Sequence, residues 1–240
     1  LNFKKHDLSE NDALINVDGE KVGEVDIASA AAGNSTVELP VEKTSSKGKT
    51  LLKIAIEGGR GGHSGVDIHK KRVNAIKELA DVLQMINQRN KLNLVSFTAG
   101  DIKDGVSVTN AISSSAEAVI AVDRGTESII RSILKHKRKK IHTKYKREKK
   151  LKLSLKGKEE KSSEMMDDRS TQNALDLLLQ LPHGVIKRIS DHPLVGKLTT
   201  KSTNLAIVRT EGGNMTVQMM SRSAEDGDLA EIRGNIKAIA

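Results

Sequence analysis

His63 stands in the run Gly58-Gly59-Arg60-Gly61-Gly62-His63-Ser64-Gly65, which places five glycines in eight residues. Imidazole can donate a hydrogen bond, accept one or bind a metal. Glycine lets a backbone approach a ligand closely. The run therefore admits three readings: a flexible turn between a strand and a helix, a cradle of backbone N–H groups for an anion, or a loop that brings His63 against a ligand. It is neither of two familiar phosphate loops, because it lacks the G-x-G-x-x-G spacing and has no Lys followed by Ser or Thr. His69 lies six residues beyond His63. Two metal ligands on one helix face stand three or four residues apart, so these two do not form a helical pair. With no cysteine in the chain, thiolate metal sites and disulfides are excluded. No Ser-His-Asp or Cys-His arrangement is legible from spacing. Any two of the 31 acidic residues could meet in space, so chemistry based on paired carboxylates stays open.

The elements that must position these residues follow from hydrophobic periodicity. Ala13 to Val17 reads as a buried strand, and further strands are expected near 22–29, 35–42 and 50–57. From Asp67 to about Gln88, residues Ile68, Val73, Ile76, Leu79, Ala80, Leu83 and Ile86 follow a helical period. Strands are expected at 92–97, 106–109 and 116–122, then a helix over about 125–139. Leu151 to Lys156 alternates apolar and polar residues, the pattern of a strand with one wet face. Residues 157–168 read as a polar loop, and 171–181 as a helix stopped by Pro182. Strands near 203–209 and 215–221 and a last helix at about 228–238 complete the chain. Strand–helix–strand–strand–helix–strand in the first half, roughly repeated later, predicts an α+β fold. Its antiparallel sheet is ferredoxin-like, with helices packed on one face and two similar halves as one arrangement of the whole.

Charge is concentrated. Lys135 to Lys152 holds eleven Lys or Arg and one acid, Glu148, or +10 of a total of +9, so the remainder is near neutral. Such a run can meet nucleic acid or acidic lipid, or it can be a solvated helix end whose cations suit the helix dipole. Phe3, Phe97 and Tyr145 are the only aromatics, too few for base-stacking platforms. Nucleic acid is thus the less favoured partner. No run approaches the roughly 18–20 apolar residues of a membrane helix, and no apolar signal core opens the chain. A cytoplasmic protein is expected, with no membrane partner.

Gly61-Gly62-His63-Ser64-Gly65-Val66-Asp67-Ile68-His69-Lys70, followed by Arg72 and Asn74-Ala75, resembles the stretch GGHSGVDIHKGRANA of bacterial aminoacyl-histidine dipeptidases. These belong to the di-zinc aminoacylase and carboxypeptidase superfamily. Other pieces agree in order. Leu14 to Glu20 is similar to LINLDSE, Leu181-Pro182-His183-Gly184-Val185 to LPNGV, Ser202 to Val208 to SLNLG(I/V)V, and Arg222-Ser223 to a closing RS. Where the family reads NAIPRE, this chain has Asn110-Ala111-Ile112-Ser113-Ser114-Ser115.

The resemblance implies the lid, or dimerisation, domain of a zinc-dependent dipeptidase that hydrolyses dipeptides such as aminoacyl-histidine. Residues 1–20 would be the end of a catalytic-domain strand segment, and 21–240 the lid. It implies that Asp18 is a metal ligand, that His63 contacts the substrate or transition-state oxygen, that Asn110 sits near the same place, and that Arg222 binds the substrate carboxylate. The implied cofactor is two zinc ions in the parent enzyme, and the implied partners are a dipeptide and a second copy of the chain. No H-x-D or Glu-Glu pair precedes Asp18 and no His follows Arg222. The expectation is therefore a lid from a longer protein, binding no zinc and silent as a catalyst by itself; the alternative is a non-enzymatic dimerisation or binding module, or nucleic-acid binding through the basic run 135–152.

Overall fold

A computed structural model describes residues 30–240, apart from 101, 104–105, 159–163, 193–195 and 226. Asp18, the Ala13–Val17 run and the strand expected near 22–29 lie outside the described residues. The chain begins with β1 (Ala31–Pro40), the short β2 (Lys43–Ser45) and β3 (Thr50–Glu57). Helix α1 (Ala75–Arg89), β4 (Leu92–Ala99), the two-residue β5 (Ile102–Lys103) and β6 (Val106–Ser107), then β7 (Ala116–Val122), α2 (Glu127–Lys144) and β8 (Lys152–Lys158) follow. The last part contains β9 (Glu164–Met166), α3 (Asp168–Gln180), β10 (Gly184–His192), β11 (Gly196–Glu211), β12 (Asn214–Ser223) and α4 (Asp228–Ile239).

Eight strands form one sheet in the order β1-β12-β11-β4-β7-β3-β8, with β10 also paired to β11. Within it, β8-β3-β7-β4 are joined by antiparallel pairs, with α1 between β3 and β4 and α2 between β7 and β8. That order and connection are those of the ferredoxin-like fold. Alternation on β3 sends Leu52, Ile54 and Ile56 into the main core with Ile76, Leu79, Leu83 and Ile86 of α1. Each such side chain, fully buried, stabilises by about 1.5–3 kcal/mol. Helices α2, α3 and α4 add Ile133, Leu178 and Ile232 to the same cluster. The opposite face carries a small patch of Leu51, Val119, Ala121 and Met165. β11 and β4 meet at Val208 and Ala99, which extends the sheet to β12 and β1.

Two differences from the sequence reading have local causes. Helix α1 begins at Ala75 rather than Asp67, because Asn74 caps it by accepting the Lys77 N–H at 3.2 Å. The residues before it make a 3₁₀ turn over Ile68–Lys70, ended by Lys71 at φ 50°. The basic run is also not simply a solvated helix end. Lys137 is buried and pairs with Asp81 of α1, and Lys144 Nζ lies 2.6 Å from Glu78 Oε1. Arg138 donates to the Leu153 carbonyl at 2.7 Å. Part of this charge therefore fastens α2 to α1 and β8. Among the described residues, no helix is long and apolar enough to cross a membrane.

Candidate functional site

Three elements bring His63, Asn110 and Arg222 together. The first is the glycine loop after β3. Asp67 Oδ2 accepts the His63 N–H at 3.1 Å, and Asp67 Oδ1 is paired with Arg72 at 2.9 Å and Lys70 at 2.8 Å. Arg72 also donates to the Gly61 carbonyl. Burial alone would raise the Asp67 carboxyl, but the hydrogen bonds from Lys70 and the His63 amide and the charges of Arg72 and Lys70 hold it below the usual carboxylate range. Gly62 adopts φ 123°, and a Cβ there would run into the Arg72 guanidinium and the Asp67 carboxylate. Glycine at 62 is thus what lets the clamp close.

The second element is the segment 108–112. The Ser64 N–H donates to the Asn110 carbonyl at 2.7 Å, the Ile112 N–H to the Gly62 carbonyl at 2.8 Å, and His63 bridges antiparallel to Ala111. Asn204 of β11 holds this segment from beneath, donating Nδ2–H to the Thr109 and Ala111 carbonyls at 2.9 and 2.7 Å. The Asn110 side chain itself is exposed.

The third element is the end of β12. Met215, Val217, Met219, Ser221 and Ser223 alternate into the buried side. Strand alternation therefore puts Arg222 on the other face, opposite Ala32 of β1 and Ser202 of β11. Its Nη2 lies 3.4 Å from His63 Nε2 and 3.5 Å from Met220 Sδ. A guanidinium nitrogen only donates, so a hydrogen bond at this contact requires the His63 tautomer in which Nε2 accepts and Nδ1 carries the proton. A Cβ on Gly65 would stand 3.2 Å from His63 Cε1 and 3.3 Å from Arg222 Cζ, so Gly65 lies directly against the pair.

His63 Nδ1, Ser64 Oγ and Arg222 Nε are all buried without a hydrogen-bond partner among the described residues. Leaving such an atom unmet costs about 1–3 kcal/mol, and three on adjoining residues mark a place that a polar ligand would complete. The two nitrogens are donors, so the ligand they suit is an oxyanion or carboxylate. Among the described residues, no group of three His, Cys, Asp or Glu comes together.

A second histidine behaves differently. His183 Nδ1 lies 3.1 Å from Asn74 Nδ2 and 3.4 Å from the Leu205 N–H, and Asn74 also donates to the Leu205 carbonyl at 2.7 Å. Burial, helped by the charge of Lys77, pushes His183 down to about 4. Lys77, itself lowered by burial to about 8, donates to the Leu178 and Leu179 carbonyls at the end of α3 at 2.9 and 2.7 Å.

Sequence reasoning named His63, Asn110 and Arg222 but missed Ser64, Asp67 and Asn204. Asp67 lies inside the motif and Asn204 inside Ser202-Thr203-Asn204-Leu205. Both positions were visible in the sequence, although their hydrogen-bond partners were not.

Residues 45–149, which include the His63 loop and the ferredoxin-like unit from β3 to α2 but not β8, match the family model of the peptidase dimerisation domain. Over that stretch the chain is similar to the M20 peptidase dimerisation domain, and over most of its length it is similar to a dipeptidase. It is 28% identical over 217 residues to the cytosol non-specific dipeptidase of Escherichia coli (strain K12), covering 90% of this chain and 43% of that protein. Its fold is that of part of the aminoacylhistidine dipeptidase from Vibrio alginolyticus, with a TM-score of 0.79 at 22% identity over 88% of this chain and 42% of that one. The chain thus spans less than half the length of the relatives it matches.

Proposed function

We propose that this chain is the lid and dimerisation part of a zinc-dependent dipeptidase acting in the cytoplasm on dipeptides such as aminoacyl-histidine. The observation that carries the reading is the His63–Arg222 pair, 3.4 Å apart, with His63 Nδ1 and Arg222 Nε buried and unmet. In this reading Arg222 receives the C-terminal carboxylate of the dipeptide, since a guanidinium matches a carboxylate in shape and charge. His63 donates to the scissile carbonyl oxygen as negative charge builds on it. Asn110 adjoins this pair through its backbone, its carbonyl accepting the Ser64 N–H. Residues 21–240 form the lid, and residues 1–20 end a catalytic-domain strand that bears Asp18 as a zinc ligand. Two such chains pair through their dimerisation domains, and the isolated chain is catalytically silent.

The reading is supported by similarity to dipeptidases and by the donor chemistry of the His63–Arg222 pair. Its test is steady-state kinetics of the natural-length, zinc-loaded protein on an aminoacyl-histidine dipeptide and on the same dipeptide with its C-terminus amidated. Arg222→Ala is expected to raise KM for the free acid by about tenfold or more and to leave the amide nearly unaffected. Absence of dipeptide hydrolysis, or an equal loss on both substrates, would overturn the reading. Sedimentation of the same protein at twice the chain mass is the expected sign of pairing.

A further inference from the structure

Two basic residues of the run, Lys146 and Arg147, line a cavity with cations from elsewhere in the chain. An open cavity of about 770 Å³ lies between the turn around His69–Arg72 and the segment Thr143–Glu148 that follows α2. Its wall carries seven Lys or Arg and one carboxylate, Glu148. Glu148 is buried, and its oxygens accept the Arg60 N–H at 2.8 Å and the Val73 N–H at 3.3 Å, which straps the two walls together. Lys70 and Arg72 share Asp67, and Lys144 is held by Glu78. Arg60, Lys71, Lys146 and Arg147 have no carboxylate partner among the described residues. Lys71 sits at φ 50°, a conformation rare for a residue with a side chain.

We infer that this cavity is a binding site for a small phosphate-rich anion, such as a di- or triphosphate group, separate from the His63–Arg222 pair, neither of which lines it. Convergence of four cations, Arg60, Lys71, Lys146 and Arg147, from three stretches of chain on one concavity supports a multivalent anion. The volume falls in the range of small-molecule sites, about 300–1,000 Å³. The one aromatic in the wall, Tyr145, has its hydroxyl donated to Glu78 at 2.7 Å and the Lys144 ammonium over its ring at 4.9 Å. It therefore offers no open platform for a base. The ligand is read through its phosphates.

The test is titration calorimetry of this chain with inorganic tripolyphosphate at low and moderate salt. It uses Lys71→Gly, which removes a cation at a φ that glycine adopts freely, and Arg147→Gln on the cavity rim. A control carries Lys135→Gln, Lys139→Gln and Lys140→Gln on the exposed outer side of α2. The expected result is saturable binding that salt weakens, with about a fivefold to tenfold loss for each cavity variant. The control, though it removes more charge, should change affinity less than about twofold. Three results would overturn the inference: absence of binding at low salt, a control that loses as much as the cavity variants, or tighter binding of a single-stranded oligonucleotide that depends on the α2 lysines.

Discussion

His63 and His183 both sit in stretches whose sequence resembles one family, His183 where that family has Asn, yet the structure gives them opposite situations. His183 turns Nδ1 toward Asn74 and the Leu205 N–H, a junction of α1, β11 and the loop before β10. His63 has its Nδ1 buried and unmet, with Arg222 against its other nitrogen. The same side chain is a fastener where its ring nitrogen is met, as at His183, and is free to meet a ligand in the proposed function where it is not, as at His63. Residue type and motif alone do not separate the two.

The comparison can be tested first at Asn74, which serves the fastener from several atoms. Asn74→Ala would strip the α1 cap at Lys77 and leave the Leu205 carbonyl and His183 Nδ1 short of a donor. A loss of about 3 kcal/mol in unfolding free energy is expected, read from urea denaturation. A loss below about 1 kcal/mol would mean the junction is not structural.

Next in size is acid sensitivity. Burial holds His183 at about 4 in the folded chain, below its unfolded value of about 6.5. The folded protein therefore resists the proton. Stabilisation from this group is complete above about pH 6.5 and is lost as pH falls toward about 4, up to about 3 kcal/mol. His183→Asn keeps an acceptor near the Nδ1 position and removes the titration. Its stability is expected to fall less steeply over that window than that of the unchanged protein, and identical slopes would count against the assignment.

Smaller effects are expected on the His63 side. Asp67→Asn weakens the clamp on Arg72, Lys70 and the His63 N–H, for an expected loss of about 1–2 kcal/mol at neutral pH. The Asp67 carboxyl is held below its ordinary value, so the difference from the unchanged protein should shrink as pH falls through the carboxylate range. Gly65→Ala should be smallest in stability, within about 0.5 kcal/mol. Its Cβ would press on His63 and Arg222, so a severalfold loss of dipeptide hydrolysis by the natural-length protein is expected alongside that small change. A change in stability without one in activity would place Gly65 away from substrate.

Much of the ferredoxin-like unit was legible because its elements are strongly periodic. β3 and β7 fall at the expected residues, and the apolar stripe of α1 from Ile76 to Ile86 faces the core. β10 was not anticipated. Its Val185, Ile186 and Ile189 are exposed and interleaved with charges, so no strand period appears. β2 and β9, three residues each, pair across the chain at Lys43–Ser45 and Glu164–Met166, and such distant short pairings leave no local pattern. α3 starts at Asp168, ahead of the expected Thr171, because Asp167 accepts the Ser170 N–H at 2.7 Å. In the candidate site, the motif pointed to His63 and Arg222. The Arg72–Asp67 clamp and the Asn204 support depend on contacts between residues up to 95 positions apart.

The most direct measurement sets the two histidines side by side. His63→Ala and His183→Asn would be introduced into the natural-length, zinc-loaded protein, and hydrolysis of an aminoacyl-histidine dipeptide followed under conditions where both variants are folded. The expected result is a fall in kcat/KM of about 10²–10³-fold for His63→Ala, carried mainly by kcat, and a change within about threefold for His183→Asn. Full activity in His63→Ala, or an equal loss in both, would contradict the claim that His63 meets the substrate while His183 only holds the fold.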